Sequence, residues 1–223
     1  MNIDHCEFPD NLFYDVENDV WFQQIESGSE KRIGRMGISS VLLFLAGKIT
    51  KVKFRPVAEE TERGQSIATI ESVRYFGAVR SPIRGMISRF NEDLSSHPSL
   101  ISKSPYESWI AEYGNFHEDS LDGLLYGLNA KEKLLSRITE LRIRCFKLLP
   151  DEDMYSIGSE CTTTLANLSE LFSNKYRGYV VHLVTDDPTS DIEMVRWSMQ
   201  TGNDLVETRK EKNLFHFIVR KAK

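Results

Sequence analysis

Between residues 11 and 113 the apolar residues come in short runs, with glycines between or beside them. Val20-Trp21-Phe22, Val41-Leu42-Leu43-Phe44-Leu45, Ile67-Ala68-Thr69-Ile70, Met86-Ile87-Ser88-Arg89-Phe90 and Trp109-Ile110-Ala111-Glu112-Tyr113 are such runs, and Gly47, Gly64, Gly85 and Gly114 are among the breaks. Many short strands with regular turns make a small barrel or sandwich, so this stretch predicts a β-rich fold. From Asp119 to Leu149 the period changes. Leu121, Leu124, Leu125, Leu128, Leu134, Leu135, Ile138, Leu141 and Ile143 recur in steps of three and four. That spacing predicts one or two amphipathic helices, with Lys131, Lys133, Arg137 and Arg142 on the wet face.

Pro150-Asp151-Glu152-Asp153 interrupts the helical pattern and reads as a linker. Beyond it the signals alternate. A strand near Met154–Ile157 leads through Gly158 to a helix at Thr162–Phe172. Gly178 precedes the apolar strand Tyr179–Val184. Ser190 and Glu193 stand at capping-box spacing for a helix that stops before Gly202, and Leu205–Thr208 and Leu214–Val219 follow as strands. The order β-α-β-α-β-β suits a two-layer sandwich. The fold class expected is therefore α+β in two domains, residues 1–142 and 154–223, joined by a linker at 143–153.

Composition excludes several classes. With 223 residues, 40% hydrophobic and 27% charged, the chain is long enough for two globular cores. A net charge of −5 without a block of like charges argues against nucleic acid as the main partner. The N-terminus carries Asp4, Glu7 and Asp10 and no apolar core, and the longest apolar run, Val41–Ala46, is too short to span a membrane. Cys6, Cys145 and Cys161 are odd in number and lie at no metal-like spacing, so neither a disulfide framework nor a zinc site is indicated, and a reducing cytoplasm is the expected location. Cys145, flanked by Arg144 and Phe146 with Arg142 and Lys147 near, reads as a core residue on a helix or as a modestly acidified thiol. The histidines have no helical ligand spacing, and His182 reads as a satisfied core residue.

Residues Phe8 to Arg142 carry a set of motifs. These are Phe8-Pro9-Asp10-Asn11-Leu12-Phe13-Tyr14, Asp19-Val20-Trp21, Gly64-Gln65-Ser66-Ile67-Ala68-Thr69-Ile70-Glu71-Ser72-Val73, Ser81-Pro82-Ile83-Arg84-Gly85, Asn91-Glu92 and Ser104-Pro105-Tyr106 before Trp109. In these the chain resembles the lipoyl-carrying H protein of the glycine cleavage system. The resemblance implies a lipoyl-type barrel sandwich whose hairpin presents, after Glu-Ser-Val, the lysine that carries lipoate, seven residues before Ser-Pro. Here Glu71-Ser72-Val73 is followed by Arg74, and Ser81 lies seven further on. A guanidinium stays charged at any accessible pH and cannot attack an activated carboxyl. Lipoate is therefore not expected as a cofactor. The chain has no lysine between Lys53 and Lys103 to take its place. Arg74 is then either a solvated residue on an idle hairpin or a cation that recognises a carboxylate or a partner protein.

Residues 154–223 resemble the TusA family of small sulfur carriers. The resemblance rests on Thr185-Asp186-Asp187-Pro188, Ser190-Asp191-Ile192, Trp197, Thr201-Gly202-Asn203-Asp204-Leu205-Val206-Glu207 and Phe217-Ile218-Val219-Arg220-Lys221. It implies a working cysteine three residues after a glycine and 27 before the proline, which lands on Cys161 between Gly158 and Pro188. Thr162 and Thr164 replace the two prolines of the family's Cys-Pro-x-Pro. A cysteine at a helix start feels unpaired N–H groups and the positive end of the helix dipole, which favours thiolate. Thr162 or Thr164 can add a capping hydroxyl, while Asp187 and Pro188 end a strand and turn into the next helix. The other reading of Cys161 is a small buried hydrophobe.

Two functions follow. One is a sulfur carrier that passes a Cys161 persulfide between proteins of a sulfur-transfer or lipoate-related pathway, at most a sulfurtransferase component and not a stand-alone enzyme. The other is a non-catalytic adaptor derived from an H protein.

Overall fold

The computed structural model describes residues 1–27, 32–56, 60–114 and 116–222. The chain divides into two compact units, Met1–Cys145 and Phe146–Lys223.

The first unit opens with a short pair, β1 (Asn2–Ile3) and β2 (Cys6–Glu7), followed by β3 (Phe13–Asp15), β4 (Val20–Ser27), β5 (Arg32–Ile38) and helix α1 (Ser40–Ala46). Strands β6 (Ile49–Phe54), β7 (Ser66–Ser72), β8 (Phe76–Arg80) and β9 (Met86–Phe90) come next, then the short helices α2 (Asp93–Ser96) and α3 (Ser99–Lys103). β10 (Ala111–Gly114), β11 (Leu125–Tyr126) and α4 (Lys131–Glu140) complete it. One sheet has the order β11-β3-β4-β5-β10-β9 and a second the order β6-β7-β8. Neighbours in both are antiparallel.

The run Val41–Leu45, grouped with the strands from its length, is helical. Four of the helix's apolar residues, Val41, Leu42, Leu43 and Ala46, are buried. Leucine and alanine favour helix, and Gly47 at φ 77° ends it. The helical period of residues 119–149 also overreaches, because α4 spans only Lys131–Glu140. Gly127, at φ 51°, lets the chain turn where a Cβ would stand 2.5 Å from the Asp10 carbonyl oxygen. Arg142 takes φ 52° just beyond α4. Leu134 and Ile138 anchor the helix on Phe8, Tyr14 and Trp21, and each fully buried side chain of this size contributes roughly 1.5–3 kcal/mol.

The cysteines correct the expectation that no disulfide forms. Cys6 and Cys145 are bonded to each other, with Cα atoms 5.0 Å apart and 139 residues between them in sequence. Both are buried in the core that joins β1–β2 to the segment after α4. No local spacing marks a pair that only tertiary packing brings together. Cys145 lies outside any helix and, being bonded, has no thiol to acidify.

The second unit contains β12 (Glu152–Ser156), α5 (Cys161–Ser173), β13 (Val180–Thr185), α6 (Ser190–Thr201), β14 (Asp204–Glu211) and β15 (Leu214–Arg220). Its sheet runs β12-β13-β15-β14, with β12 and β13 parallel and the other neighbours antiparallel. Leu168, Phe172, Met194 and Trp197 from the helices pack on Val181, Leu183, Phe215, Phe217 and Val219. Within the segment read as linker, Phe146 and Leu149 are buried and Glu152 already begins a strand. Ser190 is the first residue of α6 rather than its cap and is fully buried. The capping is done by Asp187, whose Oδ1 accepts from the Thr189 N–H and hydroxyl at 2.8 and 2.7 Å. Gly202 closes α6 in the left-handed conformation. Among the described residues no helix is long and apolar enough to cross a membrane.

Candidate functional site

Two places carry the residues that the sequence singles out. The first is the tip of the β7–β8 hairpin. The Ser72 N–H donates to the Tyr75 carbonyl at 2.8 Å and closes the turn. The Ser72 hydroxyl accepts from the N–H groups of Arg74 and Tyr75 at 3.2 and 3.1 Å and donates to the Ala46 carbonyl at 2.6 Å. Arg74 Nη2 donates to the Phe44 carbonyl at 2.9 Å. Both acceptors lie in the last turn of α1, where carbonyls lack helical partners and the dipole is negative. A Cβ on Gly47 would stand 2.8 Å from Arg74 Nε, so glycine leaves the guanidinium its room.

Arg74 is therefore neither an idle solvated cation nor a swinging arm. Its guanidinium reaches back to cap a helix. Val73 and Phe76 beside it are 97% and 71% exposed. Burial raises the Tyr75 phenol above its usual range, with the Asp19 charge adding to the effect. Glu71 lies 3.8 Å from Lys51 Nζ on β6, an amine of the neighbouring strand and not of the turn. The residues at the tip do not fit amide attachment of a lipoyl group, because the position that would carry it holds a guanidinium.

The second place is the carboxyl end of the parallel pair β12–β13. Gly158, at φ 69°, donates its N–H to Asp186 Oδ1 at 2.8 Å. Cys161, the first residue of α5, donates its N–H to Asp187 Oδ2 at 2.9 Å. The loops after β12 and β13 are thus tied by two carboxylates, each satisfying an N–H near the start of α5. Pro188 is exposed in the turn that follows. The bonds from Thr189 and, to a smaller degree, from Cys161 hold the Asp187 carboxyl below the usual range.

With the other two cysteines bonded, Cys161 is the one free thiol, and it is 7% exposed. Burial raises its pKa, and the charges of Asp187 and Glu193 raise it further. This reverses the expectation of a thiol acidified by the helix start. Burial is the larger cause, and the carboxylate that accepts the Cys161 N–H adds to it. The threonines do not supply the cap at this helix start either. Thr164 is buried with its hydroxyl unpartnered, as is the Ser190 hydroxyl on α6.

One cluster escaped sequence reasoning. His182 Nδ1 lies 2.8 Å from Asp153 Oδ1, and its Nε2 lies 2.9 Å from His216 Nδ1. His216 Nε2 is 3.7 Å from Glu211. If Nδ1–H of His182 donates to Asp153, its Nε2 is the acceptor and His216 Nδ1 donates, so one pair of tautomers satisfies both of these contacts. The signal was strand register: residues 34 apart meet only because β13 and β15 pair antiparallel with Val184 opposite His216. Among the described residues no group of histidine, cysteine and acidic side chains is placed to hold a metal ion.

A family model described as glycine cleavage H-protein matches residues 12–137, inside the first unit. Among curated proteins, the probable glycine cleavage system H protein 2 of Sulfolobus acidocaldarius is 34% identical over 147 residues, which is 65% of this chain and 96% of the relative. The glycine cleavage system H protein 2 of Aquifex aeolicus is 34% identical over 143 residues, 63% of this chain and 86% of its own. A solved glycine cleavage system H protein from Mycobacterium marinum aligns with 56% of this chain and 95% of its own at 23% identity and a TM-score of 0.47. With a match over more than half its length that includes the β7–β8 hairpin, this chain belongs to the glycine cleavage H-protein family.

Proposed function

We propose that this protein is a sulfur carrier built on an H-protein unit that takes no lipoyl group. The first unit docks partner proteins through its hairpin face, where Val73 and Phe76 stand exposed beside the clasped Arg74. The second unit carries sulfur on Cys161. The observation that supports it most is the placement of the single free cysteine at the first turn of α5, in the loop tied down by Asp186 and Asp187. Its spacing from Gly158 and Pro188 resembles that of the TusA sulfur carriers.

The step balances without an added oxidant. The Cys161 sulfur attacks the outer sulfur of a donor protein's cysteine persulfide, the donor S–S bond breaks, the donor leaves as a thiol, and Cys161 holds the persulfide. The raised thiol pKa means that the resting side chain is protonated, so the proton leaves as the new S–S bond forms. A cytoplasmic setting is compatible with the Cys6–Cys145 bond, since both cysteines are at most 1% exposed and small reductants do not reach them directly. Intact-mass measurement after incubation with a cysteine desulfurase and cysteine tests the proposal. The expected product carries one extra sulfur, absent from Cys161→Ala. No adduct, or one that persists in the variant, excludes it.

Burial of Cys161 favours a second reading, an adaptor with no covalent chemistry. In that case the desulfurase leaves no adduct, yet a partner recovered with the wild-type chain is lost on Val73→Asp, Phe76→Asp substitution.

A further inference from the structure

Helix α6 is apolar on two opposite sides. Met194 and Trp197 on its inner side are buried against the sheet. Ile192, Val195 and Met199, at steps of three and four residues, form a stripe along the outer side and are 58, 43 and 79% exposed. A surface helix ordinarily turns polar residues to solvent. The other helix of this unit does so, with Thr162, Thr163, Asn167 and Glu170 of α5 exposed. A continuous apolar stripe facing water on α6 marks a face that another molecule covers.

The stripe begins beside the thiol. Asp187, whose Oδ2 accepts the Cys161 N–H at 2.9 Å, also caps the start of α6 through Thr189. Glu193, next to Ile192, lies close enough for its charge to act on the Cys161 thiol. Ile157 is 52% exposed in the loop whose Gly158 is tied to Asp186.

Charge says what can cover this face. Asp186, Asp187, Asp191 and Glu193 rim it, and from Gly178 to Thr201 the one lysine or arginine is Arg196, committed to Glu193 at 2.7 Å. Glu160 adds a carboxylate at the start of α5, and from Leu148 to Asn174 the chain has neither lysine nor arginine. Such a rim repels an anionic lipid surface. A second copy seated face to face brings the same acids and no bases to meet them, and three side chains fall well short of the roughly 800 Å² per partner of a stable dimer. A protein with an apolar groove edged by basic residues meets both features, as a helix laid in a groove.

We propose that the outer face of α6 docks the protein that delivers sulfur to Cys161, and that this donor presents an apolar groove rimmed by lysine or arginine. The proposal rests on the sulfur-carrier reading and adds a docking face in the same unit as the thiol. Small anionic persulfides are repelled by the same carboxylates and gain nothing from the stripe.

Full-length protein is loaded either by a cysteine desulfurase with cysteine or by glutathione persulfide, which passes its outer sulfur to Cys161 and leaves as glutathione. Initial rates are followed by intact mass. With the desulfurase, Val195→Gln, Met199→Gln substitution should slow loading at least about ten-fold, as for lost interface anchors, at an unchanged thermal midpoint. Added salt should slow it too, because it screens the attraction between acidic rim and basic groove. With glutathione persulfide the double variant should load as the wild type does, and salt should speed the reaction. A desulfurase rate indifferent to the substitutions overturns the docking face. A rate that salt does not lower overturns the basic donor, as does loading by glutathione persulfide alone. A dimer in sedimentation that the double variant dissolves assigns the face to a second copy and overturns the donor. No adduct from either source excludes the sulfur-carrier reading and the donor with it, whereas failure of the docking face alone leaves loading by glutathione persulfide intact.

Discussion

The Arg74 guanidinium donates to the carbonyl of Phe44, 30 residues earlier, at 2.9 Å. The hairpin tip is thereby latched to the last turn of α1, and Ser72 adds a second latch on Ala46. An exposed cation at a helix C-terminus contributes about 0.3–1 kcal/mol. Arg74→Ala should lower the unfolding free energy of the first unit by that amount, measured as a shift of the denaturant midpoint at unchanged slope. Arg74→Lys should retain part of it and present an amine at the turn. Incubated with a lipoate ligase, that variant is expected to gain one lipoyl group by intact mass, and the wild type none.

Gly47 and Arg74 should be energetically coupled. Gly47→Ala places a Cβ 2.8 Å from Arg74 Nε at a backbone φ of 77°, so it meets both a steric and a conformational penalty. A loss of about 1–3 kcal/mol is expected. In the Arg74→Ala background the steric part disappears, and the double mutant should be more stable than the sum of the single effects by at least ~0.5 kcal/mol. Strict additivity would mean that the guanidinium swings aside at no cost.

Glu112 ties three elements of the large sheet. It accepts from Arg89 Nε and Nη2 at 2.8 and 2.9 Å and from Arg35 Nε at 2.9 Å. The Arg89 bonds first, and those from Arg35 after them, hold its carboxyl below the usual glutamate value. A carboxyl lowered on folding contributes stability above its unfolded value, near 4.5, and that contribution disappears as pH falls through the lower folded value. Glu112→Gln should therefore cost about 1 kcal/mol at pH 7. The difference from wild type should shrink steadily below pH 4.5 in acid titrations followed by circular dichroism.

For Cys161 the direction is also set. Burial first, then the charges of Asp187 and Glu193, hold the thiol protonated. Its alkylation by iodoacetamide should be slow at pH 7 and keep rising past pH 9. Asp187→Asn retains an oxygen for the Cys161 N–H while removing one of the charges, so alkylation at pH 8 should speed up several-fold. A rate unchanged by that substitution would assign the whole shift to burial.

What the sequence disclosed and what it hid divide along one physical line. Periodicity and punctuation are local, so α5, α6, β13, β14 and β15 fall close to where the spacing put them, and Gly202 ends α6 as expected. The alignment of Arg74 with an expected lysine was also a matter of local spacing. Its use as a helix cap was not, because Phe44 meets Arg74 only after β6 and β7 have paired. The same holds for Cys6 with Cys145 and for His182 with His216. The interval between Lys53 and Lys103 looked empty of amines near the hairpin, yet Lys51 reaches Glu71 across the sheet. The Cys161 thiol was misjudged for a related reason: a helix start is visible in a sequence, whereas the burial that raises the thiol, and the carboxylate 26 residues later that adds to it, are not.

Removing the Cys6–Cys145 bond from a loop of 139 residues should destabilise the first unit by up to about 5 kcal/mol by chain entropy. Cys6→Ala, Cys145→Ala should show it as a lower denaturant midpoint, reproduced in the wild type by reductant added in the unfolded state.

That bond also makes residues 6 through 145 a covalent ring. A single peptide cleavage inside the ring opens it without releasing either half, so a nicked molecule keeps its full mass until it is reduced. During synthesis the ring cannot close until Cys145 has left the ribosome. The pair β1–β2, first to be made, is therefore the last part of its unit to be locked.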